Sequence, residues 1–206
     1  MLTGTSYFGN RNVDLVIEDL KAIKANSCNA VLHTLAEEDV EYYLDTMKKI
    51  VAESHRLGLI VYVNPWGYGG TFGGESYSSF MACNIKARQV DNCGNILPAA
   101  CLNAPSYREH LKRWVDAAAY VKADVVFWDE PHFYSWHRED CHLPAKLKGG
   151  FSCRCDTCRK LFGERFGKDM PSQLTDEIIQ FKSESMINFL KATTSYAREK
   201  GLKNSV

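Results

Sequence analysis

Apolar residues along the chain fall into two alternating kinds of run. The short runs lack a helical period: Gly4 to Phe8, Cys28 to His33, Leu59 to Val63 and Asp124 to Trp128. Nearly every position in the third is apolar and β-branched, the pattern of a strand buried on both faces of a parallel sheet. The longer runs repeat at i, i+3, i+4 and i+7. Asn12 is placed to cap a helix with Val13, Val16, Ile17, Leu20 and Ile23 on one stripe. Glu37, Glu38 and Asp39 open a second helix, carrying Val40, Tyr43, Leu44, Met47, Ile50, Val51 and Ser54 and ending at Gly58. Pro105 starts a third, with Tyr107, Leu111, Trp114, Val115 and Ala118 on its inner face. A short helix is expected from Thr157 to Phe166, and a long one from Thr175 to Lys200 with Ile178, Phe181, Met186, Leu190 and Ala197 inward.

The order βαβαβαβα predicts an α/β fold with a parallel sheet. Gly201 ends the last helix, and Leu202 to Val206 lies where another strand would begin. A (β/α)8 barrel takes roughly 250 residues. The expectation is therefore a single partial TIM-barrel domain over residues 1–206, a parallel (βα)4 half-barrel cut after its fourth helix. Two long loops, 64–104 and 131–156, follow strand C-termini, the functional end of such folds.

Composition narrows the picture by exclusion. Lys+Arg and Asp+Glu are both 25, which gives no support to a nucleic-acid or acidic-membrane partner, since either would favour a basic face. The apolar runs are too short for a membrane span, and no secretory leader is apparent. Eight cysteines in such a chain point to metal binding or reduced thiols, and so to a cytoplasmic location, rather than to a disulfide framework.

Two clusters carry chemistry. Cys153-x-Cys155-x-x-Cys158 puts three thiols on one tight turn, and a fourth from elsewhere, Cys101 or Cys141, would complete a tetrahedral S4 site. Four protein ligands leave no open position, which marks a structural Zn2+ rather than a catalytic one. Upstream, the strand at Val125 delivers adjacent carboxylates, Asp129 and Glu130. Strand alternation would put Glu130 on the side of Trp128, whose apolar ring would favour the protonated acid. Asp129 diverges and would orient Glu130 or accept a sugar hydroxyl. Trp66, Tyr68 and Phe72, interleaved with glycines, could form a platform for a sugar ring. Asn64 and His33 end strands, and His132 follows the carboxylates, so each could contact a substrate. His132, His137 and His142 match no strong metal pattern.

Cys101-x-Asn103-x-Pro105-x-Tyr107-Arg108, the strand ending in Glu130, and Cys153-x-Cys155-x-x-Cys158 with Phe162 and Phe166-Gly167 together resemble glycoside hydrolase family 42 β-galactosidases, over about residues 59 to 170. The resemblance implies a barrel glycosidase of uncharacterised branch, acting on carbohydrate with retention. It implies Glu130 as acid/base and Cys101, Cys153, Cys155 and Cys158 as zinc ligands. Asp129 stands where that family has Asn, and its nucleophile, on a seventh strand, has no counterpart here. The chain alone is thus expected to turn over poorly, as the acid/base half of a longer parent. The alternatives are a non-catalytic carbohydrate-binding module and a self-associating half-barrel, a homo-oligomer.

Overall fold

The structure is a computed structural model that describes residues 1–74, 76–134 and 150–206. Five parallel strands form the main sheet in the order β1 (Gly4–Tyr7), β2 (Ala30–Thr34), β3 (Ile60–Asn64), β6 (Val125–Phe127) and β7 (Lys203–Ser205). Each new strand adds beside the one before it, with no reversal. Doubly wound sheets reverse at a switch point, whereas barrels do not. Right-handed crossovers then place every connecting helix on one face.

Burial follows from that arrangement. Val31, His33, Val61, Val63, Val126 and Trp128 share one face and are at most 1% exposed. Their neighbours on the opposite face, Leu32, Tyr62 and Phe127, are only half-buried, and Ile60 is exposed. The first set packs under α1 (Val13–Ala25), α3 (Leu44–Arg56), α5 (Pro105–Tyr120) and α7 (Asp176–Glu199), which present Leu20, Ile50, Trp114 and Phe189 to a common core.

Four details differ from the expectation. The helix opened by Glu37 is two, α2 (Glu37–Tyr42) and α3, because Tyr43 leaves helical geometry. Loop 64–104 is structured: it holds α4 (Ser79–Cys83) and an antiparallel hairpin of β4 (Arg88–Val90) and β5 (Ile96–Ala100). On α7, Ser185 and Phe189 are buried, while Met186 and Leu190 sit at the edge of the core. A fifth strand, β7, pairs with β6 through Val125–Lys203, Val126–Asn204 and Phe127–Ser205, so the parallel sheet exceeds four units. Among the described residues, no helix is long and apolar enough to cross a membrane.

Candidate functional site

Asn64 and Asp129 meet at the C-terminal ends of β3 and β6. Asn64 is 1% exposed, and its Nδ2 donates to Asp129 Oδ2 at 3.3 Å. Its Oδ1 is buried and has no hydrogen-bond partner among the described residues. A buried, unsatisfied acceptor at a strand end is costly, and is relieved when water or a ligand hydroxyl donates to it. The glycine loop closes over the pair. Gly73 N–H donates to Asp129 O at 3.0 Å, and a Cβ on Gly73 would lie 3.0 Å from Asp129 Oδ2.

Glu130 departs from the strand alternation assumed for it. β6 ends at Phe127, and Glu130 has φ 44°, in the left-handed region that costs a non-glycine residue energy. Its side chain is exposed, whereas Trp128 is buried on the helix side with Nε1 donating to Asn204 Oδ1 at 2.7 Å. Trp128 is therefore not the apolar wall beside Glu130. The strained turn is held by His132, whose Nδ1–H donates to Glu130 O at 2.6 Å and whose backbone N–H donates to Thr71 O at 2.9 Å.

The aromatic candidates separate. Tyr68 is 1% exposed, donates its hydroxyl to His110 O at 3.1 Å, and stacks on the His110 ring at 4.5 Å. Phe72 is buried against Trp128 and Phe189. Both are core residues rather than a platform, because the loop folds inward to form 3-10 and helical turns. Trp66 stays half-buried and contacts the exposed ring of Phe8, centroids 4.9 Å apart. These two rings line a cavity of about 560 Å3 with Arg11, Thr34, Glu38 and Asp39. The cavity gathers residues that follow β1, β2 and β3. Arg11 grips Asp39 through Nε and Nη2 at 2.5 and 2.7 Å, and also reaches Thr34 Oγ1 at 3.2 Å. An aromatic wall beside a fixed Arg–carboxylate pair suits a polyhydroxyl ring. Phe8 and Arg11 were not singled out as site residues from the sequence, and Asp39 was read only as negative charge at a helix start. An aromatic and an arginine just past the first strand were the available signal.

His33 does not reach this end of the sheet. It lies on the helix face, its Nε2 3.1 Å from Ser54 Oγ, and burial, reinforced by the Arg11 charge, lowers its pKa to about 4. It is a neutral core histidine.

Glu37, read from sequence only as negative charge at a helix start, is a buried anchor. Its carboxylate accepts from Gly69 N–H (3.0 Å), Ser78 Oγ (2.5 Å), Ser79 Oγ (3.1 Å) and Phe80 N–H (2.9 Å). His110 Nε2 is 3.5 Å away, a long polar contact rather than a full hydrogen bond. Burial alone would raise the Glu37 pKa. The His110 ring and the hydrogen bonds from Phe80, Ser78 and Gly69 overcome that and hold it at about 2.

The second anchor of the same loop is a thiol cluster. Cys101, Cys153, Cys155 and Cys158 are all buried, with their Sγ atoms within 4.8 Å of one another. Cys101 Sγ lies 3.4 Å from Cys158 Sγ and 3.5 Å from Cys155 Sγ. That is far beyond a disulfide bond of roughly 2.05 Å, and close to the ~3.8 Å edge of a tetrahedron with 2.3 Å metal–sulfur bonds. Four such thiols could hold a metal ion. Cys141, His137 and His142 lie outside the described residues. The segment carrying Cys153 runs antiparallel to β4 through Arg154 N–H to Val90 O (2.7 Å). Gln89 ties both loops together, donating to Ala100 O (2.9 Å) and accepting from Ser152 Oγ (2.6 Å) and Tyr134 N–H (3.1 Å).

No family model matches the chain, and no curated protein matches it. Solved structures do. One is a β-N-acetylhexosaminidase, with TM-score 0.61, 12% identity, and coverage of 98% of this chain and 45% of that one. A GH20 exo-β-N-acetylglucosaminidase from Vibrio harveyi, in complex with N-acetylglucosamine, gives 0.56, 11%, 98% and 34%. A GH5_18 protein from Bifidobacterium longum subsp. longum gives 0.51, 12%, 100% and 44%. The chain thus spans less than half the length of these structures. Its fold is the parallel, TIM-barrel-like α/β fold of glycoside hydrolases.

Proposed function

We propose that this chain supplies the acid/base half of a retaining, glycosidase-like barrel related to family 42, with Glu130 as the acid/base. The observation that carries the reading is the meeting of Asn64 and Asp129 at the strand ends, next to a strained and exposed Glu130. Glu130 protonates the leaving oxygen and then, as a carboxylate, draws a proton from the attacking water. Asp129, aligned by Asn64, accepts a sugar hydroxyl or steers the Glu130 carboxyl. Trp66 and Phe8 stack on a ring, and the orphan Asn64 Oδ1 accepts from a hydroxyl. His132 acts through the backbone, fixing the turn that presents Glu130. The four cysteines hold a structural Zn2+, which would fasten loop 64–104 to the segment that follows β6.

A second reading of the nucleophile is favoured by the fold neighbours. Those acting on N-acetylhexosamines point to an N-acetylated sugar. Substrate-assisted hydrolysis, an exception among retaining glycosidases that includes family 20, uses the sugar's own acetamido group. No second protein carboxylate is then required, and Asp129 would orient the acetamide.

The test is hydrolysis of alkyl N-acetylglucosaminides and galactosides by the product of the complete reading frame, with and without Glu130→Gln. Loss of about 10²–10⁴-fold in kcat/KM is expected. Glycan binding that survives the substitution, with no hydrolysis by either form, would instead make this a carbohydrate-binding module.

A further inference from the structure

A second cavity, of about 590 Å3, opens on the outer side of the β4–β5 hairpin, where that hairpin meets the thiol cluster. Its lining carries four cationic side chains, Lys86, Arg88, Arg154 and Arg159, against two carboxylates, Asp91 and Asp156. Both carboxylates already have partners. Asp91 is fully buried and accepts from Cys93 N–H and Asn95 N–H, each at 2.8 Å, and from Asn95 Nδ2 at 2.7 Å. Asp156 pairs with Arg159 at 2.5 Å on the same helix, α6 (Asp156–Phe166).

None of the other three cations forms an ion pair among the described residues. Arg88 rests its Nε on Met81 O at 2.8 Å, and Arg154 rests Nη2 on Met170 O at 2.8 Å. Both partners are neutral carbonyls. Arg154 Nε is buried with no hydrogen-bond partner among the described residues. A guanidinium anchored by one edge, with an unsatisfied buried N–H, is a preorganised donor for an oxyanion.

We propose that this cavity binds a tetrahedral oxyanion, a phosphate or sulfate group. It is separate from the cavity of Phe8 and Trp66 and stands whether or not Glu130 acts on a glycosidic bond. Arg154 and Arg88 are the inner donors, and Lys86 and Arg159 screen the mouth. The volume exceeds that of a bare anion and leaves room for the molecule that carries it.

The test titrates the metal-loaded protein with inorganic phosphate and with sulfate, following backbone amide shifts of residues 86–91 and 154–159 by NMR. Saturable shifts confined to those segments are expected, weakening as chloride rises. Lys86→Glu with Arg159→Glu alters exposed side chains and spares the packed arginines. It should weaken binding about tenfold or more, as the reversal of two charges at the mouth implies. A sulfated oligosaccharide binding tighter than free sulfate would mean the anion arrives on a glycan, and equal affinity would mean a free anion is the ligand. No saturable shift with any probe, or affinity unchanged in the folded double variant, overturns the proposal.

Discussion

Glu37 and Glu130 each follow a parallel strand of the same sheet, yet their environments are opposite. Glu37 is buried, and four donors from a single loop converge on its carboxylate. Glu130 is exposed on a left-handed turn, and among the described residues only its backbone is engaged. A satisfied buried carboxylate holds chain in place. An exposed one on a strained turn can exchange protons with whatever binds. The difference sets a structural anchor at the β2–α2 junction apart from an exposed carboxylate just past the end of β6.

The largest effect should come from the thiol cluster, which secures the far end of the loop that Glu37 holds. If it binds zinc, chelation should cost on the order of 4 kcal/mol or more. Limited proteolysis should then cut within 64–104 and around Cys153. Unchanged protease resistance after metal removal would leave Glu37 as the sole anchor.

Glu37→Ala comes next. It strands the Gly69 and Phe80 N–H groups and the Ser78 hydroxyl in a buried site. The cost should be about 3–4 kcal/mol, or a Tm lower by roughly 10 °C. The same change at Glu130 should stay within about 0.5 kcal/mol. Equal losses at both positions would erase the contrast.

Acid should act on the construction side first. The Glu37 pKa is depressed to about 2, so its stabilisation is complete above about 4.5 and is lost as pH falls from there through 2. His33, depressed to about 4, adds a loss as pH falls from 6.5 through 4, because only the unfolded chain takes up that proton easily. Urea unfolding between pH 7 and 3 should show both, and the steeper low-pH portion should vanish in Glu37→Gln.

The smallest effect is expected from Glu130→Gly. Glycine accepts φ 44° without penalty, so stability should hold or rise by up to about 1 kcal/mol while activity is lost. A clear destabilisation would mean that the Glu130 side chain has a structural role.

Much of this architecture was legible in the chain. The β-branched runs at Val31 and Val61 and the stripes under Asn12 and Pro105 fold as their periods require, since local preference and burial agree there. The cysteine spacing likewise placed three thiols on one turn. The misses occur where tertiary contacts decide. The β4–β5 hairpin has short strands, a five-residue connection and Pro98 within β5, so alternation was too brief to register. Tyr68 looked like a binding ring because glycines surround it, but those glycines let the backbone pack closely enough to bury it. A Cβ on Gly69 would come within 2.3 Å of Tyr107. The Arg11–Asp39 pair spans 28 positions, and nothing local announces it. Glu130 alternates in sequence but not in space, because the strand ends three residues earlier.

The most direct test of the account exploits leaving-group dependence. Wild type and Glu130→Gln, each as the product of the complete reading frame, are compared on an alkyl glycoside and on the corresponding dinitrophenyl glycoside. A general acid matters only where the departing oxygen needs a proton. The account predicts a loss of about 10²–10⁴-fold on the alkyl substrate and a far smaller first-step loss on the dinitrophenyl one. Equal losses on both substrates, or none on either, would contradict Glu130 as the acid.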